Sequence, residues 1–296
     1  MLINNEFNEQ QIQSPLHYIW SIFLKNNFAV FAMWVGIALI LISLFADVIV
    51  LYSPLSQDPE HLLSVPYWIE GGTTEHFFGT DDLGRDTLAR LIKGFQFTFG
   101  GALLITCAIT FVGAIIGSTA ALTRGLKASV LHHLLDALLT IPTLLIAFIL
   151  IVLFDPSYQN ALIAVSLSLL PQFIRGIYNA IDSQLNKQYV VALQLDGATN
   201  IRLLRFGIYP NILEPIVTLV NRIFTMAILE IATLGFLGFG SQSPDIELGK
   251  LIADSIDLSY LSPWLIILPG LLIFIIIMVV NIFTEGLRHA IIQGED

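Results

Sequence analysis

The sequence predicts an all-α integral membrane protein of about six transmembrane helices, and three observations lead there. Hydrophobic residues make up 55% of the 296 positions and charged residues only 12%, with a mean hydropathy of +0.79, far above what a water-soluble core requires. The apolar residues come in long uncharged blocks, not in the alternating patterns of soluble elements. Several blocks approach twenty residues, and a helix of that length, at about 1.5 Å per residue, crosses a hydrocarbon layer of roughly 30 Å.

The first block runs from Phe28 to Leu51, after a segment (1–27) in which Tyr18, Trp20, Phe23 and Lys25 suggest an interfacial helix on the cytoplasmic side. Glu6 and Glu9 stand where a signal peptide would be basic, so this first span is expected to be retained. An outer loop (52–95) follows. The second span is read as Phe97–Leu122, where Gly113 and Gly117 stand four apart and let another helix approach closely. The third is read as Leu131–Phe154 around Pro142 and the fourth as Ala161–Tyr178 around Pro171, each kinked at its proline. Ile212–Phe236 and Trp264–Phe283 complete the set, before a tail at 287–296.

Lysine and arginine placement orients the bundle. With both termini cytoplasmic, the inner side receives Lys25, Arg124, Lys127, Arg175, Lys187, Arg202, Arg205 and Arg288, while the outer side receives Arg85, Arg90, Lys93 and Lys250. The net charge of -10 leaves no basic stripe to neutralise phosphates, so nucleic acid is not an expected partner. The single cysteine, Cys107, excludes an intrachain disulfide and is expected to serve packing within its span.

The remaining polar residues fall into a few groups. Between spans four and five, residues 182–211 are more polar than their surroundings and helical in composition: Tyr189, Ala192, Leu193 and Asp196 share helical spacing, and Gly197 is a helix stop. Thr199 or Asn200 then caps a second short helix, and Pro210 marks the start of the fifth span. Asp136, Arg222 and Glu230 lie in or at the edge of apolar spans, where a charge against lipid is costly, which makes them candidate pathway or gating residues. Arg222 and Glu230 are two helical turns apart, about 12 Å, too far for direct pairing.

In the outer loop, Asp81, Asp82, Arg85 and Asp86 are candidate contacts for a partner or substrate. Gly79 and Gly84 have the glycine spacing of a phosphate-binding loop, but Arg85 and Asp86 replace the required Lys and Ser or Thr, so the reading preferred is a helix cap at Thr80 or Asp81. His132, His133 and Asp136 fall short of a metal site, because only His132 and Asp136 share a helical face. No G-x-S-x-G elbow or H-E-x-x-H motif gives catalysis a seat.

Two stretches carry a family resemblance. Tyr189-Val190-Val191-Ala192-Leu193-Gln194-Leu195-Asp196-Gly197-Ala198, followed by Ile208-Tyr209-Pro210-Asn211, resembles the EAA loop of bacterial ABC-importer permeases, with Val191 and Leu193 where the family has glutamate and its second alanine. Phe78-Gly79-Thr80-Asp81-Asp82-Leu83-Gly84-Arg85-Asp86-Thr87-Leu88-Ala89-Arg90-Leu91 resembles the segment before the second span of the dipeptide and oligopeptide permeases. Leu234-Gly235-Phe236-Leu237-Gly238-Phe239-Gly240, Pro269-Gly270 and Asn281 follow in family order, and the Gln194-to-Ala198 variant is most similar to the Sap peptide-transport branch.

The resemblance implies a type I ABC-importer permease fold, with a core at 96–286 and the first span outside it, in the bacterial inner membrane. It implies a non-catalytic subunit that forms half of a pathway for peptides or similar solutes. A second, paralogous permease, two cytoplasmic ATPases that use ATP and Mg²⁺, and a periplasmic solute-binding protein would be its partners. No cofactor would bind this chain. The coupling residues it implies are Tyr189, Ala192, Leu193, Asp196, Gly197, Ala198 and Pro210. The rival class is an ion- or proton-coupled transporter that works without an ATPase, with Asp136, Arg222 and Glu230 carrying the ions.

Overall fold

The computed structural model describes residues 15–123 and 126–295. Glu6, Glu9 and Arg124 lie outside the described residues, as do the side chains of Lys127 and His132. Among the described residues the chain is helical, and its only β-type pairing is an isolated bridge between Thr80 and Asp86.

Helix α1 (Pro15–Phe23) leads through Asn26, whose side chain accepts from the Ala29 amide at 3.2 Å, into α2 (Asn27–Leu44) and a final turn, α3 (Ala46–Ile49). The first long helix therefore stops short of the expected Leu51. Its Phe28, Phe31 and Trp34 point outward, as a lipid-facing surface requires. On the other side Ala29 meets Gly286 so closely that a Cβ on Gly286 would lie 2.2 Å from the Ala29 Cβ. Phe23, Ala29 and Ala290 form a small core of their own there.

Helix α4 (Thr87–Leu122) begins well before the expected Phe97, and its cap is Asp86, not Thr80 or Asp81: the Asp86 carboxylate accepts from the Ala89 amide at 2.7 Å. The early start is possible because its basic residues meet acids, Arg90 with Asp81 and Asp254, and Lys93 with Asp47. The glycine spacing read from the sequence does bring a helix close. A Cβ on Gly113 would lie 2.6 Å from the Phe173 ring, and one on Gly117 2.9 Å from the Ile177 Cβ. Cys107 is exposed on the outward stripe of α4 with Leu104 and Phe111, so it does not pack inside the subunit as expected.

The third span is not one kinked helix. Helices α5 (Leu126–Leu139) and α6 (Thr143–Leu153) meet at 91°. Pro142 disfavours helical backbone at Ile141 and supplies no N–H, so the helix ends and restarts. Pro171, in contrast, sits inside an uninterrupted α7 (Tyr158–Leu185), which is longer at both ends than expected. The cytoplasmic-loop candidate becomes α8 (Gln188–Leu195) and α9 (Asn200–Arg202), and the latter continues through a π turn (Leu203–Ile208) and a 3-10 turn (Tyr209–Ile212) into α10 (Leu213–Phe236). After the short α11 (Leu248–Asp254), α12 (Trp264–Glu295) extends past the expected Phe283, with Arg288 bonded to Glu214 at 2.8 Å and to Glu285 at 3.0 Å.

By length and composition five of these helices can cross a membrane, or six if the bent α5–α6 pair is one span. Helices α4, α7 and α10 carry the main core, with Ile105, Phe173, Ile177, Ile223 and Ile231 essentially inaccessible between them.

Candidate coupling and translocation site

The corner between α8 and α9 is built by a few backbone bonds. Gly197 has φ +77°, and the Ala198 amide donates to Leu193 O at 3.0 Å while the Gly197 amide donates to Gln194 O at 3.1 Å. This is the Schellman pattern, in which a left-handed residue lets the chain turn back on its helix. Thr199, not Asn200, caps α9 by accepting from the Arg202 amide at 3.4 Å.

Val190, Leu203, Ile208 and Ile212 are buried beneath the corner. Gly207 lets the loop close, since a Cβ there would stand 2.9 Å from Leu193. Tyr189 donates to Gln184 at 2.9 Å, tying α8 to the end of α7. Ala192 and Asp196 are exposed, Leu193 and Ala198 half-buried, and Pro210 lies exposed in the 3-10 turn. Leu195 (84% exposed), Ile201 (78%) and Phe206 (69%) present an apolar surface on an otherwise polar segment.

The three candidate pathway charges take separate partners. Glu230, buried on α10, accepts from Thr143 at the start of α6 and from Ser168 of α7 at 3.0 Å. The break at Pro142 is what places Thr143 against this carboxylate, so three helices meet on one side chain. Arg222 is exposed on α10; with the Gln172 amide turned so that its oxygen faces the guanidinium, that oxygen accepts from Nε at 2.8 Å and Nη2 at 2.9 Å. Asp136 of α5 pairs with Arg175 of α7 at 3.1 Å. The sequence reading did not single out Thr143, Ser168, Gln172 or Arg175 as partners, and nothing in their spacing signals it.

The acidic segment before α4 is largely committed within the chain. Asp81 accepts from the Leu83 and Arg85 amides at 3.0 and 2.9 Å, from Arg85 Nε at 2.7 Å, and from Arg90. Removing one partner of such a buried pair typically costs about 3–5 kcal/mol, which makes Asp81 and Arg90 structural. Asp86 caps α4 and bonds His76 at 2.9 Å. Asp82 is exposed, whereas Arg85 is half-buried and held by Asp81.

A further acid, Glu247, was not anticipated. Its side chain is fully buried between α4 and α10, Oε1 accepting from the Ser241 amide at 3.0 Å, and burial pushes its carboxyl up to about 7. Gly235 and Gly240 make the room, because a Cβ on either would lie 1.9 Å from Oε1. The glycine-rich run Leu234–Gly240 was the available signal, but glycines alone do not reveal which side chain they admit. The next amide, Leu248, donates to Thr98 of α4 at 3.0 Å, anchoring α11.

Residues 109–293 match the family model for binding-protein-dependent transport system inner membrane components, and residues 14–66 match the N-terminal TM domain of oligopeptide transport permease C. The chain is 41% identical over 293 residues to the peptide transport system permease protein SapC of Haemophilus influenzae, with 99% of each covered. It is 39% identical over 294 residues to the protein of the same name from Escherichia coli, again with 99% of each covered. With the dipeptide transport system permease protein DppC of Haemophilus influenzae it shares 32% over 280 residues, covering 94% of this chain and 95% of that protein. Among solved structures, an inward-facing conformation of the MetNI methionine ABC transporter superposes with a TM-score of 0.58 at 16% identity, covering 69% of this chain and 97% of that one. At that identity the likeness speaks for the fold.

Proposed function

Since the chain belongs to the binding-protein-dependent transport system inner membrane components, we propose that it forms one half of the translocation pathway of an ATP-driven importer for peptides or similar solutes. Peptide transport permeases match the chain nearly end to end, which supports the peptide class. A second, similar permease completes the pathway, two cytoplasmic ATPases drive it with ATP and Mg²⁺, and a periplasmic binding protein delivers solute to the outer side, where Asp82 is exposed. The chain itself catalyses no reaction. The transport core is taken as 96–286, with the first span outside it and both termini in the cytoplasm.

The observation that carries this reading is the α8–α9 corner. Leu195, Ile201 and Phe206 stand exposed on a helix–glycine–helix knob between two long spans, a shape suited to a groove on a soluble protein. Closure of the ATPases would push this knob, and the push would reach the pathway through α7 and α10, which flank it. Glu230 sits where those two helices meet α6, so it holds the broken span to the moving ones. Asp136 with Arg175, and Arg222 with Gln172, join α5 and α10 to α7 in the same way.

Co-purification with reconstitution tests the proposal. Isolation of this chain from native membranes should bring down a second permease and ATPase subunits, and reconstituted vesicles should take up peptide in an ATP-dependent, vanadate-sensitive manner. Uptake by this chain alone, driven by an ion gradient, would sink the reading.

A further inference from the structure

The outer lobe holds a side-chain cluster that the transport function does not use. Asp58 and His61 lie on one loop, with Asp58 Oδ2 and His61 Nδ1 2.8 Å apart. His76, from a segment fifteen residues further on, places its ring 5.7 Å from that of His61. One oxygen or nitrogen of each of the three residues lies within 4.8 Å of those of the other two. His76 is buried, and its Nδ1 is held by Asp86 at 2.9 Å, which leaves Nε2 as its free ligand atom.

We propose that Asp58, His61 and His76 form a binding site for a divalent transition-metal ion of the zinc class. Ligand atoms about 2.1 Å from a tetrahedral zinc stand roughly 3.4 Å apart, so even the widest pair in a 4.8 Å cluster needs only a small inward rotation. Asp58 and His61 can supply it, with side chains 43% and 38% exposed. Two imidazoles and one carboxylate favour zinc, nickel or copper over calcium or magnesium, whose ligands are oxygens. Three protein ligands leave a fourth position for water.

The surroundings hold the ligands in place. A metal-binding imidazole commonly donates its other N–H to a carboxylate that fixes its orientation, and Asp86 stands in that relation to His76. Asp86 is itself fixed, because its second oxygen caps α4. The His61 carbonyl accepts from the Thr80 hydroxyl, and Gly84 packs so tightly on Asp58 that a Cβ there would lie 1.9 Å from the Asp58 carbonyl oxygen. Both loop ligands are thus seated on the turn that starts α4. A bound ion would staple the loop after the first span to the start of the second, and so stabilise the outer lobe.

The test uses the full-length chain, purified in detergent on a tag without histidines, stripped with EDTA and dialysed against Zn²⁺. Mass spectrometry of bound metal should find about one zinc per chain, and Co²⁺ in its place should give the visible absorption of a four- or five-coordinate site. His61→Ala and Asp58→Asn should lose the zinc while eluting as monodisperse protein, and the exposed His289→Ala should keep it. Asp86→Asn, which retains a good helix cap, should weaken binding by about 10–100-fold. No stoichiometric zinc on the unaltered chain overturns the proposal, and so does zinc held equally by His61→Ala and Asp58→Asn.

Discussion

Among single residues, Glu247 sets the sharpest physical constraint. Its carboxyl is raised from 4.5 to about 7 because burial penalises the charged form. Between those two values the folded chain keeps a proton that the unfolded chain has lost, so stability falls as pH rises through the window and levels off above about 7. The full effect is on the order of 3 kcal/mol. Glu247→Gln keeps an oxygen for the Ser241 amide and cannot ionise. Thermal unfolding in detergent should therefore show the variant gaining on the unaltered chain as pH rises from about 5 to about 8; parallel curves across that range would contradict this account. The carboxylate itself is plain in the sequence. Its burial is not, because that depends on Gly235, Gly240 and Thr98, whose approach no local pattern encodes.

Among elements, the α8–α9 corner was the most legible. Helical spacing, a glycine stop and a threonine cap are local signals, and the backbone follows all three. The structure also says how Gly197 matters. No atom lies within 4 Å of where its Cβ would be, so the constraint is the φ of +77° and not crowding. Gly197→Val would pay about 1–2 kcal/mol for left-handed backbone and should reshape the corner. In the reconstituted importer ATP hydrolysis should persist while peptide uptake drops, whereas Gly197→Asn, which tolerates that conformation, should transport normally. Undiminished uptake by the valine variant would show that the corner does not couple. The α5–α6 break was less legible: Pro142 marked the place, but a proline-kinked span and two helices at 91° read alike in sequence. Pro171 shows the ambiguity, since its helix continues.

For the whole molecule, the proposed orientation puts the Gly197 corner in the cytoplasm and the Asp82 turn on the outer face. With Cys107→Ser removing the native thiol, a cysteine at Ala198 should react with an impermeant maleimide only in inside-out vesicles. One at Asp82 should react in intact cells once the outer membrane is permeabilised, and the reverse pattern would invert the topology and remove the coupling role. The sequence by itself determined that the chain lives in a membrane, roughly where it crosses, and which polar loop turns at a glycine between two short helices. Those properties follow from transfer free energies and helix-end signals, which are summed over neighbouring residues. Only the tertiary structure decided what each charged side chain meets: Arg90 pairs with Asp81 and Asp254, Asp136 with Arg175, and Glu230 accepts from the Thr143 and Ser168 hydroxyls. Partners such as Arg90 and Asp254 stand 164 residues apart. Their meeting is fixed by how helices pack against one another, a property of the folded bundle and of no stretch within it.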